Sequence, residues 1–359
     1  MISLLQPVRY KFHNVILFVN FCKPIFTLLI EFTSSGIFCR TAGVYIDPSK
    51  PVSKAIITHS HSDHARRGSS SYMTCKKNIQ ILRHRIGNSI DVTGIDYGDA
   101  VSINGVKISF HPAGHIPGSS QVRLEYKGEV CVVSGDYKLE YDGLTEEYEP
   151  VKCNTFVTES TFALPVFKWD PQNEIAESIK KWWSRNKSKG NVCVIGAYSL
   201  GKAQRLLKLL HSDEERVLVH SSIQQINHVL RLAGYDIPEV KTYEQSMNRN
   251  ELEGAMIIVP PASLSADSFS KLEPYENAFA SGWMAVRGSR RWQSFDAGFG
   301  MSDHADWNDL NEAVLMTGAE KVFVTHGFTE VFARWLKEKN IDAEIAGEKS
   351  LQVRTDSDS

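Results

Sequence analysis

The sequence lacks several features that would assign it to a protein class at once. Its six cysteines are scattered and include no Cys-x-x-Cys pair, which favours the reduced thiols of a cytosolic protein over a disulfide framework. The net charge is only -2, so the protein is not globally basic and any contact with nucleic acid must be a local patch. The sequence also contains no internal repeat and no low-complexity segment.

An uninterrupted apolar run long enough to span a membrane is missing as well. The most apolar stretch is "VILFVNFCKPIFTLLIEF", residues 15–32, but Asn20, Lys23 and Pro24 interrupt it. A spanning helix needs about 20 predominantly apolar residues, and proline breaks or kinks a helix. No convincing signal-peptide cleavage site follows the stretch. We therefore interpret residues 1–27 as a dispensable extension and expect a cytoplasmic protein.

Length, composition and the pattern of apolar runs indicate a globular α/β protein with two domains. The chain has 359 residues, 42% apolar and 23% charged, and single cores stop growing at about 250–300 residues. Short apolar runs ending in polar clusters predict strands from Val44 to Pro165. Strand and helix patterns then alternate, which predicts parallel strands with covering helices. Polar loops return near Arg290, so we predict an outer domain, 28–165 and 290–359, that contains an inserted domain, 166–289.

The segment "ITHSHSDHARRG", residues 57–68, places four metal-capable side chains within six positions. Side chains at i and i+2 of an extended segment point the same way, so His59 and His61 can hold one ion. Asp63 and His64, where we expect the chain to turn into a helix, can face a second ion. Imidazoles with one or two carboxylates suit Zn²⁺, and a mixed donor set also admits Mn²⁺. The cluster therefore predicts a site for two divalent ions.

Other predicted strand ends supply the further ligands that two ions need. Three candidates follow apolar runs: His115 in "AGHIPGS", Asp136 in "SGDY" and His326 in "VTHG". A carboxylate at Asp136 can bridge two ions. His111 precedes this set inside a predicted strand, and we interpret it as structural.

Taken in order, the histidine cluster, His115, Asp136 and His326 resemble the metallo-β-lactamase superfamily. The resemblance implies an αββα sandwich with metal ions at the edge where strand-end loops gather. "ESTF" at Glu159, "SDHAD" at His304 and "THG" at His326 are similar to three motifs of the β-CASP nuclease branch. Members of that branch carry an inserted domain between the first two motifs, which matches the alternating segment.

A narrower resemblance covers residues from about Leu28 to Gly347. "GVYIDPSKPVSKAIITHSHSDHAR", "GKAQRLLKLL", "SGWMAVRGSRR" and "MSDHADWNDL" through "VFVTHG" look like the bacterial ligase-associated DNA exonucleases. RNA-processing members of the branch usually have a Ser-Ala-His variant where this chain has "SDHAD". The resemblance therefore favours DNA over RNA as the substrate.

The resemblance also implies a role for each matched residue. The metal ligands would be His59, His61 and His115 for one ion, and Asp63, His64 and His326 for the other. Asp136 would bridge the two ions, and Asp63 would also orient the attacking water. His304 would protonate the leaving oxygen as a general acid, and Glu159 would hold and charge-stabilise it. Asp47 would hydrogen-bond a ligand histidine.

A second motif, "GAYSLGK" at 196–202, resembles most of a phosphate-binding loop. The next residue is Ala203, where Mg²⁺ coordination in an ATPase requires a hydroxyl group. We therefore do not expect ATP hydrolysis. Two interpretations stay open: the helix N-terminus and Lys202 cradle a nucleic-acid phosphate, or the segment is an ordinary helix start.

Candidate substrate contacts are mostly basic residues near the motifs. They are Arg66, Arg67, Lys202, Arg287, Arg290 and Ser302. Trp283 and Trp292 lie near the later arginines, and bases stack on aromatic rings without sequence preference. For each arginine, an ordinary solvated surface position is an equally good interpretation.

We predict a metal-dependent DNA exonuclease that trims ends in repair, with an ATP-dependent DNA ligase and a helicase as partners. An RNA-processing nuclease of the same branch is the main alternative. A small-molecule hydrolase would leave the inserted domain and the Glu159–His304 pair unexplained. A silent binding subunit would have lost ligands, yet every expected ligand position is filled.

Overall fold

The computed structural model of the protein describes residues 28–212, 214–264, 266–286 and 295–347, together with the backbone of two strands before them. The strands are β1 (Val8–Phe12), β2 (Val15–Val19), β3 (Glu31–Thr33), β4 (Gly36–Cys39), β5 (Val44–Ile46), β6 (Lys54–Ile56), β7 (Ser71–Cys75), β8 (Val92–Ile95), β9 (Ala100–Ile103), β10 (Val106–Pro112), β11 (Ser120–Tyr126), β12 (Glu129–Val133), β13 (Thr155–Ser160), β14 (Val192–Gly196), β15 (Val217–Val219), β16 (Lys241–Thr242), β17 (Met256–Val259), β18 (Tyr275–Ala280), β19 (Ala297–Phe299), β20 (Lys321–Gly327) and β21 (Asp342–Ile345). The helices are α1 (Ile79–Ile86), α2 (Gln172–Lys187), α3 (Lys202–Leu210), α4 (Ser221–Leu232), α5 (Arg249–Leu252), α6 (Ala266–Phe269), α7 (Trp307–Thr317) and α8 (Thr329–Glu338).

Two mixed sheets pack face to face. The first has the strand order β3-β4-β5-β6-β7-β8, and the second has the order β21-β20-β13-β12-β11-β10-β9. Apolar side chains from both sheets fill the space between them, including Ile46, Ile56, Phe110, Val122 and Val157. Burying alternate residues of each strand in this layer removes apolar surface from water and holds the sheets together.

Helices cover the outer face of each sheet. Leu82 of α1 packs on the first sheet beside Ile57. Leu310 of α7 and Phe332 of α8 pack on the second sheet beside Phe156. The order helix, sheet, sheet, helix confirms the αββα sandwich that the resemblance implied.

A third sheet, formed within residues 192–299, has the order β16-β15-β17-β14-β18-β19, and all its strands are parallel. Helices α2, α3 and α4 cover one face through residues such as Trp182, Leu206 and Leu230. The other face is covered by Leu252 and Phe269. The predicted alternation of strands and helices, and with it the α/β fold class, is confirmed.

The structure differs from the sequence-based expectations in two details. Strand β19 lies after residue 289, the predicted end of the inserted segment, yet it pairs with β18 in the third sheet. Three residues are too few to show a periodic pattern, so this strand has no signature in the sequence. The chain after His61 forms a turn rather than the start of a helix, closed by the Ala65 amide donating to the His61 carbonyl at 2.8 Å. The division into domains stays a prediction.

No helix in the part of the chain that the structure describes is long and apolar enough to cross a membrane. Five of the six cysteines fall in this part. Cys39, Cys75, Cys131, Cys153 and Cys193 are all free thiols and all buried.

Candidate active site

The site forms at the edge of the sandwich where strands of both sheets end. Asp47 directly follows β5, and His59 follows β6 by three residues. In the second sheet, β10, β12, β13 and β20 run in the same direction, so their carboxyl ends share this edge. They carry His115, Asp136, Glu159 and His326 respectively, which explains how residues far apart in sequence come together.

Three groups of potential metal ligands meet at Asp136. The first consists of His59, His61, His115 and Asp136, the second of His64, Asp136 and His326, and the third of Asp136, Glu159 and His304. In each group the potential ligand atoms lie within 4.8 Å of one another. The structure thus brings together six of the seven ligands expected from the sequence.

Distances to one carboxylate oxygen define the centre of the site. The Oδ2 atom of Asp136 lies 3.4 Å from Nε2 of His64, 3.6 Å from Nε2 of His59 and 3.8 Å from Nε2 of His115. Neighbouring ligand atoms on a tetrahedral ion with bonds of 2.0–2.1 Å are about 3.3 Å apart. The separations of Asp136 from His59 and His115 exceed hydrogen-bonding distance and fit donors that surround an ion.

The histidines of the site present buried nitrogen atoms that lack a partner. Among the described residues, Nε2 of His59 and Nε2 of His64 are buried without a hydrogen bond. Buried polar atoms are nearly always satisfied in folded proteins, so these two indicate a ligand. Burial holds the pKa values of His59 and His115 well below the usual value. Both rings are therefore neutral, with a lone pair free to coordinate a metal.

Neighbouring charged groups control the ionisation of His64 and Asp136. Burial disfavours the charged form of His64, but Asp136, Asp63 and Asp47 outweigh it and raise the pKa of His64 well above its usual value. Burial likewise disfavours the charged form of Asp136, but the neighbouring His64 and His304 hold the pKa of that carboxyl well below its usual range. The carboxylate of Asp136 is therefore charged and available as a ligand.

Hydrogen bonds with Asp47 and Thr58 orient His64 and His59, respectively. Asp47 accepts from Nδ1 of His64 at 2.7 Å and from the amide of Thr58 at 2.8 Å. The Thr58 hydroxyl donates to Asp47 and lies 3.0 Å from Nδ1 of His59. Asp47 and His326 are two of the five described non-glycine residues with positive φ, at 44° and 47°. Such strained conformations concentrate at functional sites.

Asp63 is the expected ligand that lies outside all three groups. Its Oδ2 atom is 3.6 Å from Nε2 of His64, and half of its side chain is exposed. The carboxylate therefore lies on the exposed side of the site, next to His64.

His304 and Glu159 form a buried pair beside the centre. Nδ1 of His304 lies 2.9 Å from Oε2 of Glu159 and 4.0 Å from Oδ2 of Asp136. Burial disfavours the charged ring, but the Glu159 charge and hydrogen bond outweigh burial and raise the pKa of His304 to about 9. His304 is therefore protonated at neutral pH, as a proton donor must be.

Several contacts hold this pair in place, and most of them could not be read from the sequence. The Tyr137 amide donates to Oε1 of Glu159 at 2.9 Å. The Trp169 indole donates to the His304 carbonyl at 2.9 Å, and the Ser302 hydroxyl accepts from the His304 amide at 3.1 Å. Ser302, a candidate substrate contact on sequence grounds, is buried and supports His304 instead. Only its position two residues before His304 hinted at this role.

The Lys202 side chain and two backbone amides of the phosphate-loop-like segment already have partners within the protein. Nζ of Lys202 donates to Oδ2 of Asp303 at 2.8 Å, and Lys202 is 5% exposed. The Gly201 amide donates to the side chain of Gln204, and the Ala203 amide donates to the Tyr198 carbonyl. The structure therefore favours a structural helix start over a phosphate cradle.

The other candidate substrate contacts fall into two sets. Arg66 is partly exposed and Arg67 is exposed, and both follow the histidine cluster. Arg287 and Arg290 lie outside the described residues, as does Trp292.

An aromatic cluster reaches from His304 toward solvent. The Phe162 ring lies 5.8 Å from the His304 ring and 5.0 Å from the Trp283 ring, between centroids. The Trp283 ring lies 6.4 Å from that of Phe328, two residues after His326. Phe162 is buried, whereas Trp283 and Phe328 are partly exposed. Apolar rings beside a polar site are typical of ligand-binding surfaces.

Comparisons with known proteins give relatives of two kinds. No protein-family model matches the sequence. A protein named "Probable DNA ligase" from Opitutus terrae is 27% identical over 327 residues, which are 88% of this chain and 31% of that protein. "Endoribonuclease YSH1" of Yarrowia lipolytica is 29% identical over 160 residues, 44% of this chain and 19% of that protein. The protein of the same name from Gibberella zeae is 25% identical over 234 residues, 64% of this chain and 27% of that protein.

The chain spans less than a third of the length of each of these relatives. Among solved structures, a protein of unknown function from Enterococcus faecalis V583 has a TM-score of 0.58 at 12% identity, over 82% of this chain and 79% of that one. That likeness shows a shared fold. Together with the ligand groups that meet at Asp136, these sequence relatives support the resemblance to the β-CASP nuclease branch of the metallo-β-lactamase superfamily.

Proposed function

We propose that this protein is a metal-dependent nuclease that hydrolyses phosphodiester bonds in DNA and removes nucleotides from ends. One observation carries the proposal: three imidazole nitrogens surround the Asp136 carboxylate, and the His304–Glu159 pair stands directly beside them. Metal coordination and proton donation are two chemistries that accelerate phosphodiester hydrolysis.

The residues present fit two divalent ions, Zn²⁺ or Mn²⁺. His59, His61 and His115 would hold one ion, His64 and His326 would hold the other with Asp63, and Asp136 would bridge them. The unpartnered Nε2 atoms of the described histidines His59 and His64 support this assignment. When bound, such ions lower the pKa of water and neutralise charge on the phosphodiester.

The protein's own groups would carry the proton steps. Nδ1 of His304 is bound to Glu159, so Nε2 is the atom that donates a proton to the leaving oxygen. The half-exposed carboxylate of Asp63 would orient the attacking water from the solvent side. Arg66 and Arg67, directly after the ligand cluster, would contact substrate phosphates.

DNA is the favoured substrate because the protein named "Probable DNA ligase" aligns with 88% of this chain. That alignment also supports partnership with an ATP-dependent DNA ligase, since one polypeptide carries both that name and a region similar to this chain. A helicase partner and a role in DNA repair rest on the resemblance alone. We place the protein in the cytoplasm, supported by the five free, buried thiols.

RNA is the second candidate, because proteins named "Endoribonuclease YSH1" align with 44% and 64% of this chain. A gel assay separates the two. Purified protein is incubated with Zn²⁺ or Mn²⁺ and end-labelled single-stranded DNA, duplex DNA and RNA of matched sequence. An Asp63→Ala, His64→Ala double variant is the control.

We expect progressive, metal-dependent shortening of DNA that is absent in the control. Preferential cleavage of RNA would favour the second candidate. If the metal-loaded protein cleaves neither nucleic acid, the proposal is wrong.

A further inference from the structure

The segment that connects β14 of the third sheet to α3 lies against the candidate ligands His61 and His115. We call residues 200–205 the positioning turn; they comprise the end of the loop after β14 and the first turn of α3. It approaches the site so closely that a Cβ on Gly201 would lie 2.5 Å from Cγ2 of Ile116 and 3.2 Å from Oδ2 of Asp303. Gly201 also has φ +95°, a conformation that glycine adopts readily. A glycine is therefore required for this contact.

The turn binds one candidate ligand directly. Nε2 of His61 lies 3.2 Å from the Leu200 carbonyl, which can only accept a hydrogen bond. Nε2 is therefore the protonated nitrogen of His61, and Nδ1 keeps the lone pair. Nδ1 lies 3.0 Å from Nε2 of His115, within the first ligand group. The Leu200 carbonyl thus selects the tautomer in which His61 can coordinate.

The turn reaches a second candidate ligand through Asp303. Lys202 and Arg205 contact the Asp303 carboxylate at 2.8 and 3.4 Å, and Arg205 also donates to the Ser302 carbonyl at 2.5 Å. The Asp303 carbonyl in turn accepts from Nδ1 of His115 at 2.9 Å. This fixes the tautomer of His115 in the same way and points Nε2 toward Asp136.

The charges in this contact are buried, so they cannot rearrange cheaply. Lys202, Arg205 and Asp303 are each at most 5% exposed. Removing one member of a buried ion pair leaves the other without compensation, and the surrounding backbone must adjust. Here that backbone is the segment that orients His115.

We propose that the positioning turn determines the affinity of the ion held by His59, His61 and His115, with Lys202 as a positioning residue. The inference rests on the proposed function, because it assumes that the ligand groups that contain His59 and His64 bind metal. Partners that orient ligand histidines typically contribute about 10- to 100-fold to metal affinity. Two of the three histidines of this group depend on the turn, whereas His64 takes its hydrogen bond from Asp47.

The test measures metal binding rather than activity. Metal-free wild type, Lys202→Met and Lys202→Arg proteins are titrated with Zn²⁺ in competition with a chromophoric chelator. We expect wild type to bind two ions per chain. Lys202→Met should bind one of them about 10-fold or more weakly, with the other unchanged. Lys202→Arg keeps the charge and should lose less affinity than Lys202→Met.

A matched control removes a different paired lysine. Lys321 is the first residue of β20, at the other end of the strand from His326. Its Nζ atom contacts Asp342 and Glu344 of β21. Lys321→Met should bind both ions like wild type. If Lys202→Met proves unfolded, Gly201→Ala replaces it, because the added Cβ displaces the turn without removing a charge.

The outcomes separate the two proposals. Wild type that binds no Zn²⁺ would refute the proposed metal site itself. Wild type that binds two ions, with a folded turn variant of equal affinity, would refute only the role of the turn. That role is also refuted if both ions weaken equally, or if Lys321→Met loses as much affinity as Lys202→Met.

Discussion

His304 donates a hydrogen bond from Nδ1 to the carboxylate of Glu159 at 2.9 Å, and the two residues lie 145 positions apart in the sequence. The contact joins the end of β13 to the loop before α7. Glu159 is fully buried, so its charge acts on the imidazole with little screening. This geometry leads to two predictions about proton donation.

Glu159→Gln should shift the pH dependence of cleavage. Burial alone lowers the pKa of His304, and Glu159 is the largest influence that raises it, to about 9. A general acid works only while protonated, so the wild-type rate should fall as pH rises through about 9. Without the Glu159 charge the pKa of His304 drops, and this alkaline limb moves to lower pH. The measurement is kcat between about pH 6 and pH 10. An unmoved alkaline limb would contradict the assignment.

His304→Ala should remove the proton donor and leave the metal site intact. General acid catalysis contributes about 10²- to 10⁴-fold to a rate, so we expect kcat to fall by that factor. The ions would be held by the groups that contain His59 and His64, whereas Nδ1 of His304 is bound to Glu159, so the metal content measured by atomic absorption should match wild type. A variant that cleaves DNA at the wild-type rate would rule out this role.

Asp47→Ala should weaken metal binding through His64. The variant loses the bond of 2.7 Å to Nδ1 of His64 and the bond to the Thr58 amide. Loss of such a partner typically costs about 10- to 100-fold in metal affinity. Alanine is also strained at the φ of 44° that Asp47 adopts.

The matched control is Asp47→Asn, because asparagine tolerates this backbone conformation and can still accept a hydrogen bond. It should lose less affinity than alanine in the same chelator competition. Equal and wild-type-like affinities for both variants would show that Asp47 does not support the metal site.

The fold class and the position of the ligand cluster could be predicted because they depend on local patterns. His59, His61 and His64 are neighbours in sequence, and apolar runs mark the strands that carry the remaining ligands. The Lys202–Asp303 contact could not be predicted, because it joins positions 101 residues apart and depends on how the third sheet packs on the sandwich. Asp303 is visible in "SDHAD", but nothing in the sequence shows which charge faces it.

Strand β19 shows the same limit for the fold. Its three residues carry no pattern of their own, and their strand conformation depends on pairing with β18. Tertiary contacts rather than local preference decide such short strands. The turn after His61 is a similar case, since the backbone there bends to present His64 to the centre.

Trp283→Ala should weaken binding of single-stranded DNA while leaving the chemical step intact. The ring is partly exposed, rests on buried Phe162 and lies beside Phe328, at the end of the aromatic cluster that begins at His304. Stacking of a base on an aromatic ring contributes about 1–3 kcal/mol, so we expect KM to rise about 5- to 150-fold with kcat unchanged.

Trp283→Phe, which keeps a ring for stacking, is the control and should recover most of the affinity. A substrate with an abasic site at the stacked position provides the decisive comparison. If Trp283 stacks on that base, removing the base weakens wild type but changes the alanine variant little, because the two losses report one interaction. Additive losses would mean that the ring supports the fold of the site without touching the base.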